Sequence, residues 1–551
     1  MFTRPHGVAA FAIAAATFLA GCTGDRGSTP TVIATPRDSC LALANLVLPQ
    51  TSLVPEYVED GTTRPPGLTA GDFLPAHCIV RGAIEPRVGA DGRKYEIRFE
   101  LRLPTAWSGR FMYQGGGGND GVVRPAVGRN TGSLADAAPA LARGFAVVTT
   151  DAGHQGPGPE FGLDPVARVD NAYAAHDRTA VTAKEIIRRQ YGRGPDKSYF
   201  AGCSGGGRQG MMFAQRYPGH FDGIIASAPA MSVSSGATIA AAWDTIIYTG
   251  IAPADAGGRK ILSKAFSNSD LNLVASGILA ACDAKDGIAD GMVQNVGACR
   301  FDPNALKCRG AKDDNCLSAA QVGALAKAFA GPKTAGGQPL YAGQPWDPGI
   351  SAPAWRAWKL GTSETPEPNA NNAVLMAGAL AYYFITPPDP KLNILAFDFE
   401  SDPARMQAHS QMFDTYRDDR LQAYRQRGGK LLFFHGVADG IFSASESIDY
   451  YNRLAANNGG LAATQLFSRL FLVPGMNHCS GGPATDSYDG LAAIVEWVEK
   501  GNPPERIIAS AQATNRYFPN RTRPLCAYPQ YAKYRGSGSV EEAASFVCAN
   551  D

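Results

Sequence analysis

Hydrophobic and polar residues alternate in short segments along most of the chain, and the spacing differs between segments. Residues 95–103 (YEIRFELRL) alternate with a period of two, as a strand with one exposed face does. Residues 110–114 and 145–150 are short apolar runs, which are typical of buried strands. The pattern predicts strands at 95–103, 110–114, 145–150, 198–201, 430–434 and 469–473, and helices at 180–191 and 488–500.

This regular pattern is interrupted once, between about residues 231 and 419. The segment is rich in Ala, Gly, Pro and Asn, and it shows no clear period of its own. On both sides of it, strands alternate with helices, which favours an α/β sheet. We therefore predict one α/β domain formed by residues 40–230 and 420–551, with residues 231–419 inserted as a second domain.

The composition excludes one large class of partners. The chain has 551 residues and a formal net charge of +1, from 51 Lys and Arg against 50 Asp and Glu. Nucleic-acid binding draws on an excess of basic residues, so no nucleic-acid partner is expected. Hydrophobic residues make up 45% of the chain, which is enough for a large buried core.

The first 21 residues have the pattern of a signal peptide. Arg4 and His6 precede an apolar run that is too short to cross a bilayer. The run ends in Leu-Ala-Gly-Cys, which resembles a bacterial lipobox with Cys22 as the lipidated residue; an ordinary secretory signal is the alternative. Residues 22–39 are predicted to be a flexible tether. We expect an exported outer-membrane lipoprotein, periplasmic or extracellular, that meets the membrane only through this anchor.

Export allows disulfides to form, and the cysteine count agrees with this. Without Cys22, ten cysteines remain, which is an even number. Spacing alone leaves the pairing open, and a zinc site is disfavoured because the chain has no CxxC pair. Short loops favour Cys282–Cys299, Cys308–Cys316 and Cys526–Cys548, with Cys40–Cys78 near the start of the chain, which leaves Cys203 and Cys479.

A candidate nucleophile lies in residues 198–210 (SYFAGCSGGGRQG). This segment combines a strand, a Gly-x-Ser-x-Gly turn and the start of a helix, so Ser204 is presented at the C-terminal end of a strand. The positive end of the helix dipole there favours the negative charge of an acyl-transfer intermediate. A Gly-rich turn alone is a weak signal, but the strand before it and the helix after it indicate that Ser204 is a nucleophile.

A serine nucleophile needs a histidine base and an acid that orients the base. Among eight histidines, His478 stands out because it lies on a loop directly after the last predicted strand. Asp439 also follows a strand, and the order Ser204, Asp439, His478 is that of α/β-hydrolases. Cys203 and Cys479 adjoin the serine and the histidine, so a bridge between them would hold the two loops together. Two independent structural cysteines are the alternative.

The cysteines beside Ser204 and His478 resemble those of the tannase and feruloyl esterase family, in which such cysteines join the catalytic triad. The resemblance covers about residues 40–551 and is closest to the branch that hydrolyses a half-ester of terephthalate. It implies an α/β-hydrolase fold with a large lid domain inserted at 231–419, and five disulfides. The matching segments are 197–200, 206–208, 471–483 (FLVPGMNHCSGGP) and 521–526 (RTRPLC).

The resemblance implies a secreted carboxylic ester hydrolase that forms an acyl-enzyme intermediate. Its substrates would be small esters of aromatic acids, such as gallates, ferulates or a terephthalate half-ester. Two alternatives remain: acyl transfer to an acceptor other than water, and a non-catalytic binding protein anchored at the surface. A complete Ser, Asp and His set argues against the binding protein. We expect the chain to act as a monomer.

The insertion carries an acidic motif at residues 282–292 (CDAKDGIADGM). Its three carboxylates are spaced in a way that suits Ca²⁺, which takes six to eight oxygen ligands. It lacks the terminal Glu of an EF-hand, and from the residues alone a solvated acidic turn is an equal alternative. The family's lid calcium site has this pattern. The resemblance therefore implies a structural Ca²⁺ held by the side chains of Asp283, Asp286 and Asp290 and the carbonyls of Ile288 and Met292.

Two backbone N–H groups are needed to hold the negative oxygen of the intermediate. Gly205, directly after the nucleophile, is one candidate donor, and the glycine run 115–118 offers the other, for which the resemblance favours Gly118; a plain flexible loop is the alternative.

The resemblance also places two aromatic residues, Trp358 and Phe442, against the substrate ring, although an ordinary core role is open for each. It puts Leu375 where that branch has an arginine that grips the free carboxylate of its substrate, and leaves nearby Lys359 as a possible substitute.

Overall fold

The structure is a computed structural model that describes residues 35–61, 73–129 and 137–550. The predicted signal peptide, Cys22 and residues 22–34 of the predicted tether lie outside the described residues. The first helix begins at Pro36, inside the segment assigned to the tether. From Pro36 onward the chain forms one compact unit. Across the described ranges, no helix is long and apolar enough to cross a membrane.

A mixed sheet of nine strands, counted within the described residues, lies at the centre of this unit. Its strand order is β1-β2-β3-β5-β4-β6-β7-β8-β9, antiparallel from β1 to β5 and parallel from β5 to β9. The strands are β1 Thr51–Val58, β2 His77–Val88, β3 Lys94–Pro104, β4 Arg110–Gln114, β5 Ala146–Thr150, β6 Lys197–Cys203, β7 Gly223–Ser227, β8 Lys430–Gly436 and β9 Ser468–Val473.

Helices cover both faces of the parallel part of this sheet, which explains why its strands are apolar throughout. Phe200 and Phe433 pack on one face against helices α3, α4 and α12, whereas Tyr199 and Phe434 pack on the other face against α14. The helices are α1 Pro36–Leu41, α2 Pro165–Val169, α3 Ala175–Tyr191, α4 Gly205–Arg216, α5 Thr238–Ile251, α6 Asn268–Cys282, α7 Ala319–Phe329, α8 Pro353–Lys359, α9 Ala377–Ala379, α10 Asp402–Phe413, α11 Gln422–Gln426, α12 Ala444–Asn457, α13 Leu461–Thr464 and α14 Gly490–Lys500.

The segment between β7 and β8 is the insertion. It is mainly helical, and α5, α6, α7 and α8 pack around an apolar core of their own. After α14, two short hairpins complete the chain: β10 Arg506–Ser510 pairs with β11 Thr522–Cys526, and β12 Tyr531–Tyr534 pairs with β13 Phe546–Ala549. The carboxyl ends of β4, β6, β8 and β9 meet at one edge of the sheet, which is where α/β proteins of this kind place their sites.

All six strands and both helices predicted from the pattern are present, with ends that differ by a few residues. The largest difference is in α3, which begins at Ala175 rather than at residue 180. Three strands of the central sheet, β1, β2 and β7, were not predicted, and neither were the hairpin strands β10 to β13.

Candidate active site

Ser204 lies on a sharp turn between β6 and α4. Its φ of 66° and ψ of −124° are unfavourable for a residue with a side chain, and such strain is typical of a nucleophile held at a turn. The Ser204 N–H donates to the carbonyl of Ser227 on β7, and its carbonyl accepts from the Arg208 N–H. These bonds fix the turn from both sides, so the Ser204 side chain is directed away from the sheet edge.

Glycines are required around this turn because two backbones touch there. A Cβ atom on Gly206 would lie 2.7 Å from the carbonyl oxygen of Gly116, in the glycine run after β4. The Gln209 side chain joins the same two segments: it accepts from the Gly116 N–H at 3.0 Å and donates to Asp120 at 2.8 Å. Burial raises the pKa of Asp120 to about 6. The glycine run is therefore a packed wall of the site rather than a flexible loop.

The two predicted oxyanion donors both line the cavity that contains Ser204. Gly205 is the first residue of α4, where the N–H groups have no partner within the helix. Gly118 has a φ of 63° and also lines the cavity that contains Ser204. A Cβ atom on Gly205 would lie 3.5 Å from the Gly118 carbonyl oxygen, so the two residues are close neighbours.

The predicted base and acid are in direct contact. His478 Nδ1 lies 2.7 Å from Asp439 Oδ2, and the buried carboxylate also accepts from the N–H groups of Ile441 and Phe442 at 2.8 and 3.0 Å. Burial alone would raise the pKa of Asp439, but the charge of His478 and the hydrogen bonds from His435 and His478 lower it well below its ordinary value. The ionised Asp439 accepts a hydrogen bond from the Nδ1–H of His478, and this tautomer leaves Nε2 of His478 able to act as a base.

A disulfide links Cys203 to Cys479 and so joins the serine turn to the histidine loop across 276 residues. Ser204 and His478 line the same cavity. The described residues contain no hydrogen bond between the Ser204 hydroxyl and His478, whose Nε2 lies 3.7 Å from the Cys479 sulfur. Such contacts often tighten only when substrate binds. The other disulfides are the four that the spacing favours: Cys40–Cys78, Cys282–Cys299, Cys308–Cys316 and Cys526–Cys548.

The cavity beside Ser204 has a volume of about 390 Å³. Trp358 and Phe442 both line it, and each ring meets the His478 ring edge-on, with centroids 5.2 and 5.4 Å away. Leu375 adds an apolar wall from the insertion. This shape and lining suit a flat aromatic group placed next to the base.

Lys359 cannot replace the arginine that the resemblance expects at Leu375, so that suggestion is wrong. Its side chain is buried and forms an ion pair with Asp244 inside the insertion. Separating this pair would leave a buried charge without a partner, which is costly. Lys359 is also absent from the residues that line the cavity.

The insertion is bonded directly to the catalytic loops. The buried carboxylate of Asp347 accepts from the N–H of Gly349 at 2.7 Å and from that of Gly475, in the histidine loop, at 2.9 Å. The Asn477 side chain donates to the carbonyls of Gly349 and Ala438, both at 3.1 Å. The residues beside Asp439 and His478 are therefore held by the same short stretch of the insertion.

The acidic loop of the insertion lies far from these contacts in sequence. Asp283 and Asp286 accept from the N–H groups of Gly291 and Gln294 at 2.8 and 3.0 Å, and Asp283 Oδ1 is buried without a partner. Burial and the neighbouring carboxylates raise the pKa of Asp286 to about 7. Within the described ranges, no three Asp, Glu, His or Cys side chains form a ready metal-binding group.

The third carboxylate of this loop has a different partner. Asp290 pairs with the buried Arg523 of β11, and its carbonyl accepts from Arg521 at 2.8 Å. Ile288 and Met292 donate their N–H groups to Asp286 and Asp290, at 3.3 and 3.2 Å. The unpartnered Asp283 oxygen is a donor of the type that Ca²⁺ takes, whereas Asp290 is already bonded to Arg523.

Three residues that position the site were not predicted from the sequence. His435 ends β8 and contacts Asp439, Asp347 holds the histidine loop, and Asn119 follows Gly118 and accepts from Tyr383 of the insertion at 2.7 Å. The only signal for His435 is its place at a strand end, four residues before Asp439. No local pattern marks the other two.

The chain is similar to known proteins over most of its length. A family model described as tannase and feruloyl esterase matches residues 78–549. Mono(2-hydroxyethyl) terephthalate hydrolase of Piscinibacter sakaiensis is 43% identical, over 93% of this chain and 92% of that protein. A probable feruloyl esterase B-2 of Aspergillus terreus is 30% identical, over 89% and 91%. The crystal structure of feruloyl esterase B from Aspergillus oryzae matches 94% of this chain and 100% of that chain with a TM-score of 0.77 at 25% identity.

Proposed function

The chain belongs to the tannase and feruloyl esterase family, and from this premise we propose that it is a serine hydrolase that cleaves esters of aromatic acids. The observation that carries the proposal is the 2.7 Å contact between His478 and Asp439 in the cavity that also contains Ser204. The aromatic walls formed by Trp358 and Phe442 support an aromatic acyl group.

In the proposed mechanism, His478 Nε2 takes the proton from the Ser204 hydroxyl as the oxygen attacks the ester carbonyl. The N–H groups of Gly205 and Gly118 stabilise the negative oxygen that develops. The protonated His478, held by Asp439, then gives its proton to the leaving alcohol. The C–O bond to the alcohol breaks, and an acyl-enzyme on Ser204 remains. Water, activated by His478, releases the aromatic acid and restores the serine.

A panel of esters tests the function and its alternatives. Methyl gallate, methyl ferulate and mono(2-hydroxyethyl) terephthalate are incubated with the protein and with Ser204→Ala, and the acids released are quantified. Release of an aromatic acid by the wild type alone is the expected result. Formation of a new ester when an alcohol is added would instead assign an acyltransferase. No turnover of any ester, with retained binding, would indicate a binding protein.

The absence of a cationic side chain at Leu375 bears on which ester is preferred. The branch that the chain resembles uses an arginine there for a free carboxylate, and Lys359 is held by Asp244. Arg124 and Arg129 also line this cavity, so we expect the lack of an arginine at residue 375 to weaken binding of the negatively charged terephthalate half-ester without excluding it. Leu375→Arg should lower KM for the half-ester roughly tenfold, because a charge-assisted hydrogen bond contributes about 1.5–3 kcal/mol. KM for methyl ferulate should not fall, and Leu375→Gln is the neutral control.

We further propose that the acidic loop holds a structural Ca²⁺. Side chains of Asp283, Asp286 and Asp290 would bind it, with carbonyls of Ile288 and Met292. The ion would supply positive charge that balances buried carboxylates, and it would take no part in the reaction at Ser204.

We propose as well that the chain is exported and anchored through a lipid on Cys22, and that it acts as a monomer. Residues 19–22 (LAGC) support the anchor. Incorporation of labelled palmitate into the wild type, lost in Cys22→Ala, is the expected result. Sedimentation of the soluble Cys22→Ala protein as a dimer would contradict the monomer.

A further inference from the structure

A second histidine lies against the acid of the proposed triad. His435 is fully buried, and its Nε2 is 3.6 Å from Asp439 Oδ2, the oxygen that accepts from His478. The same Nε2 is 3.1 Å from the carbonyl oxygen of Phe442, whose ring packs against His478. His435 therefore touches both the acid and the turn that carries the aromatic wall of the cavity.

The partners of its two ring nitrogens decide which one carries the proton. Nε2 faces a carbonyl oxygen and a carboxylate oxygen, and neither can donate. Nδ1 lies 2.7 Å from the Ser447 hydroxyl on α12, which is able to donate. The arrangement that satisfies all groups has the proton on Nε2 and the Ser447 O–H donating to Nδ1. With the proton on Nε2, His435 is a fixed donor aimed at Asp439 and the Phe442 carbonyl.

We propose that His435 is a positioning residue for the ester hydrolysis proposed above. It holds the Asp439 carboxylate and the 439–442 turn in place against His478. The inference rests on that proposed function. It also has an electrostatic consequence. A donor on Asp439 spreads the negative charge of the carboxylate, so the protonated His478 is held less tightly than by an isolated carboxylate.

Three further titratable groups lie beside this cluster, and their titration must be distinguished from that of His478. One is Asp347, which accepts from the Gly475 N–H of the histidine loop and whose pKa is raised by burial to about 6. The other two are Tyr341 and Glu446. Tyr341 of the insertion donates to Glu446 on α12 at 2.8 Å and accepts from the Ser443 N–H at 3.1 Å. Burial raises the pKa of Glu446 to about 7. The other neighbours of Asp439 and His478 are backbone N–H groups and the rings of Trp358 and Phe442, which do not titrate.

The test compares His435→Leu with His435→Gln, in which the amide carries an N–H at about the distance of the imidazole Nε2. Hydrolysis of a neutral aromatic ester is followed from pH 5 to 9. For His435→Leu we expect kcat to fall roughly tenfold with KM changed less than about twofold, and the acid limb of the kcat/KM profile to move up by about 0.5 pH units. His435→Gln should keep most of the wild-type kcat and should leave the acid limb close to its wild-type position.

Three controls make the result specific. His176→Leu removes a histidine that is equally buried and also has a hydroxyl partner, Tyr113, but lies away from Asp439; its stability should fall while its acid limb stays in place. Glu446→Gln removes the titration of the Glu446 carboxyl. In this background, His435→Leu should still move the acid limb by the same amount. Ser447→Ala removes the hydroxyl that fixes the proton of His435 on Nε2. It should move the acid limb in the same direction as His435→Leu, by a smaller amount.

An unmoved acid limb in His435→Leu and in Ser447→Ala would overturn the inference. If His435→Leu fails to fold, His435→Gln and Ser447→Ala decide the result: wild-type kcat with an unmoved limb in Ser447→Ala overturns it. Activity retained in Ser204→Ala would instead overturn the proposed function itself. The two failures are therefore distinguishable.

Discussion

At the scale of single residues, Asp439 has more hydrogen bonds than any other member of the proposed triad. It accepts from His478 and from two backbone N–H groups of its own turn, and His435 lies beside it. These contacts oppose the cost of burying its charge and lower its pKa below the ordinary value, which favours the ionised carboxylate. Its proposed role is to fix the orientation and tautomer of the base.

Asp439→Asn tests this role. The amide keeps the size of the side chain, but it can donate a proton to His478 and so stabilise the wrong tautomer. We expect kcat to fall about 10³- to 10⁴-fold with little change in KM, measured with a p-nitrophenyl ester. A loss of less than tenfold would show that Asp439 does not orient the base.

The three triad candidates were predictable because each follows a strand, and the ends of neighbouring parallel strands meet. His435 was not, because its importance depends on the turn that brings Asp439 back against the end of its own strand. The suggestion that Lys359 could replace the arginine expected at residue 375 was wrong for a similar reason. Its partner, Asp244, is 115 residues away in sequence, and nothing local indicates that the two meet.

At the scale of elements, the site is assembled from loops that several different segments restrain. The Cys203–Cys479 disulfide joins the C-terminal end of β6 to the loop after β9. Asp347 and Asn477 join the histidine loop to the insertion. Because these restraints act on backbone beside Ser204 and His478, they set the distance over which a proton must move.

Removing the disulfide should affect both stability and rate. For Cys203→Ala with Cys479→Ala, chain-entropy models for a loop of 276 residues give at most roughly 5 kcal/mol, and strain or residual structure reduces this to about 2–5 kcal/mol. At a temperature where the variant stays folded, kcat should also fall, up to a hundredfold for a 1 Å misplacement. Denaturant unfolding measures the loss of stability, and steady-state kinetics measures the loss of kcat.

A matched control for the disulfide is Cys526→Ala with Cys548→Ala, which removes a bridge far from Ser204 in the C-terminal hairpins. It should lower stability and leave kcat unchanged in the folded protein. An equal loss of kcat in both double variants would contradict a specific role for Cys203–Cys479.

The unpredicted strands have identifiable physical causes. β1 contains Pro55 and pairs on one side only, which weakens its pattern. β2 is interrupted by a bulge between Ile84 and Arg87, and this breaks its period of two. β7 contains only two large apolar residues, Ile224 and Ile225, between glycine and small residues, so its apolar run is too weak to indicate a strand.

At the scale of the whole molecule, the chain from Pro36 onward forms one compact unit whose insertion is bonded to the loops of the candidate site. The position of the insertion could be predicted, since the periodic pattern stops and resumes. Its internal architecture was not predicted, although buried residues of α6 such as Leu271, Val274 and Ile278 recur at helical spacing and pack in the core of the insertion. The insertion also supplies cavity walls, Trp358 and Leu375 among them.

The proposed calcium ion belongs to this scale because its effect is on folding. EDTA should lower Tm by several degrees, since a ligand that binds only the native state stabilises it by mass action. Asp286→Ala should have a lower Tm than the wild type in calcium and no further change with EDTA. Asp313→Ala, an acidic residue of the insertion outside the loop, is the control. A Tm that is unchanged by EDTA after prolonged incubation, with wild-type Tm in Asp286→Ala, would contradict the site.

The central claim is that Ser204 becomes acylated by an aromatic acid, and trapping that intermediate tests it most directly. The protein is mixed with the p-nitrophenyl ester of ferulic acid, quenched in acid within milliseconds, and digested for mass spectrometry. The account predicts a burst of p-nitrophenol close to one equivalent and a feruloyl group on the peptide that contains Ser204. Ser204→Ala should show neither, with its unfolding curve intact. Feruloyl on another residue, or full turnover by Ser204→Ala, would contradict the account.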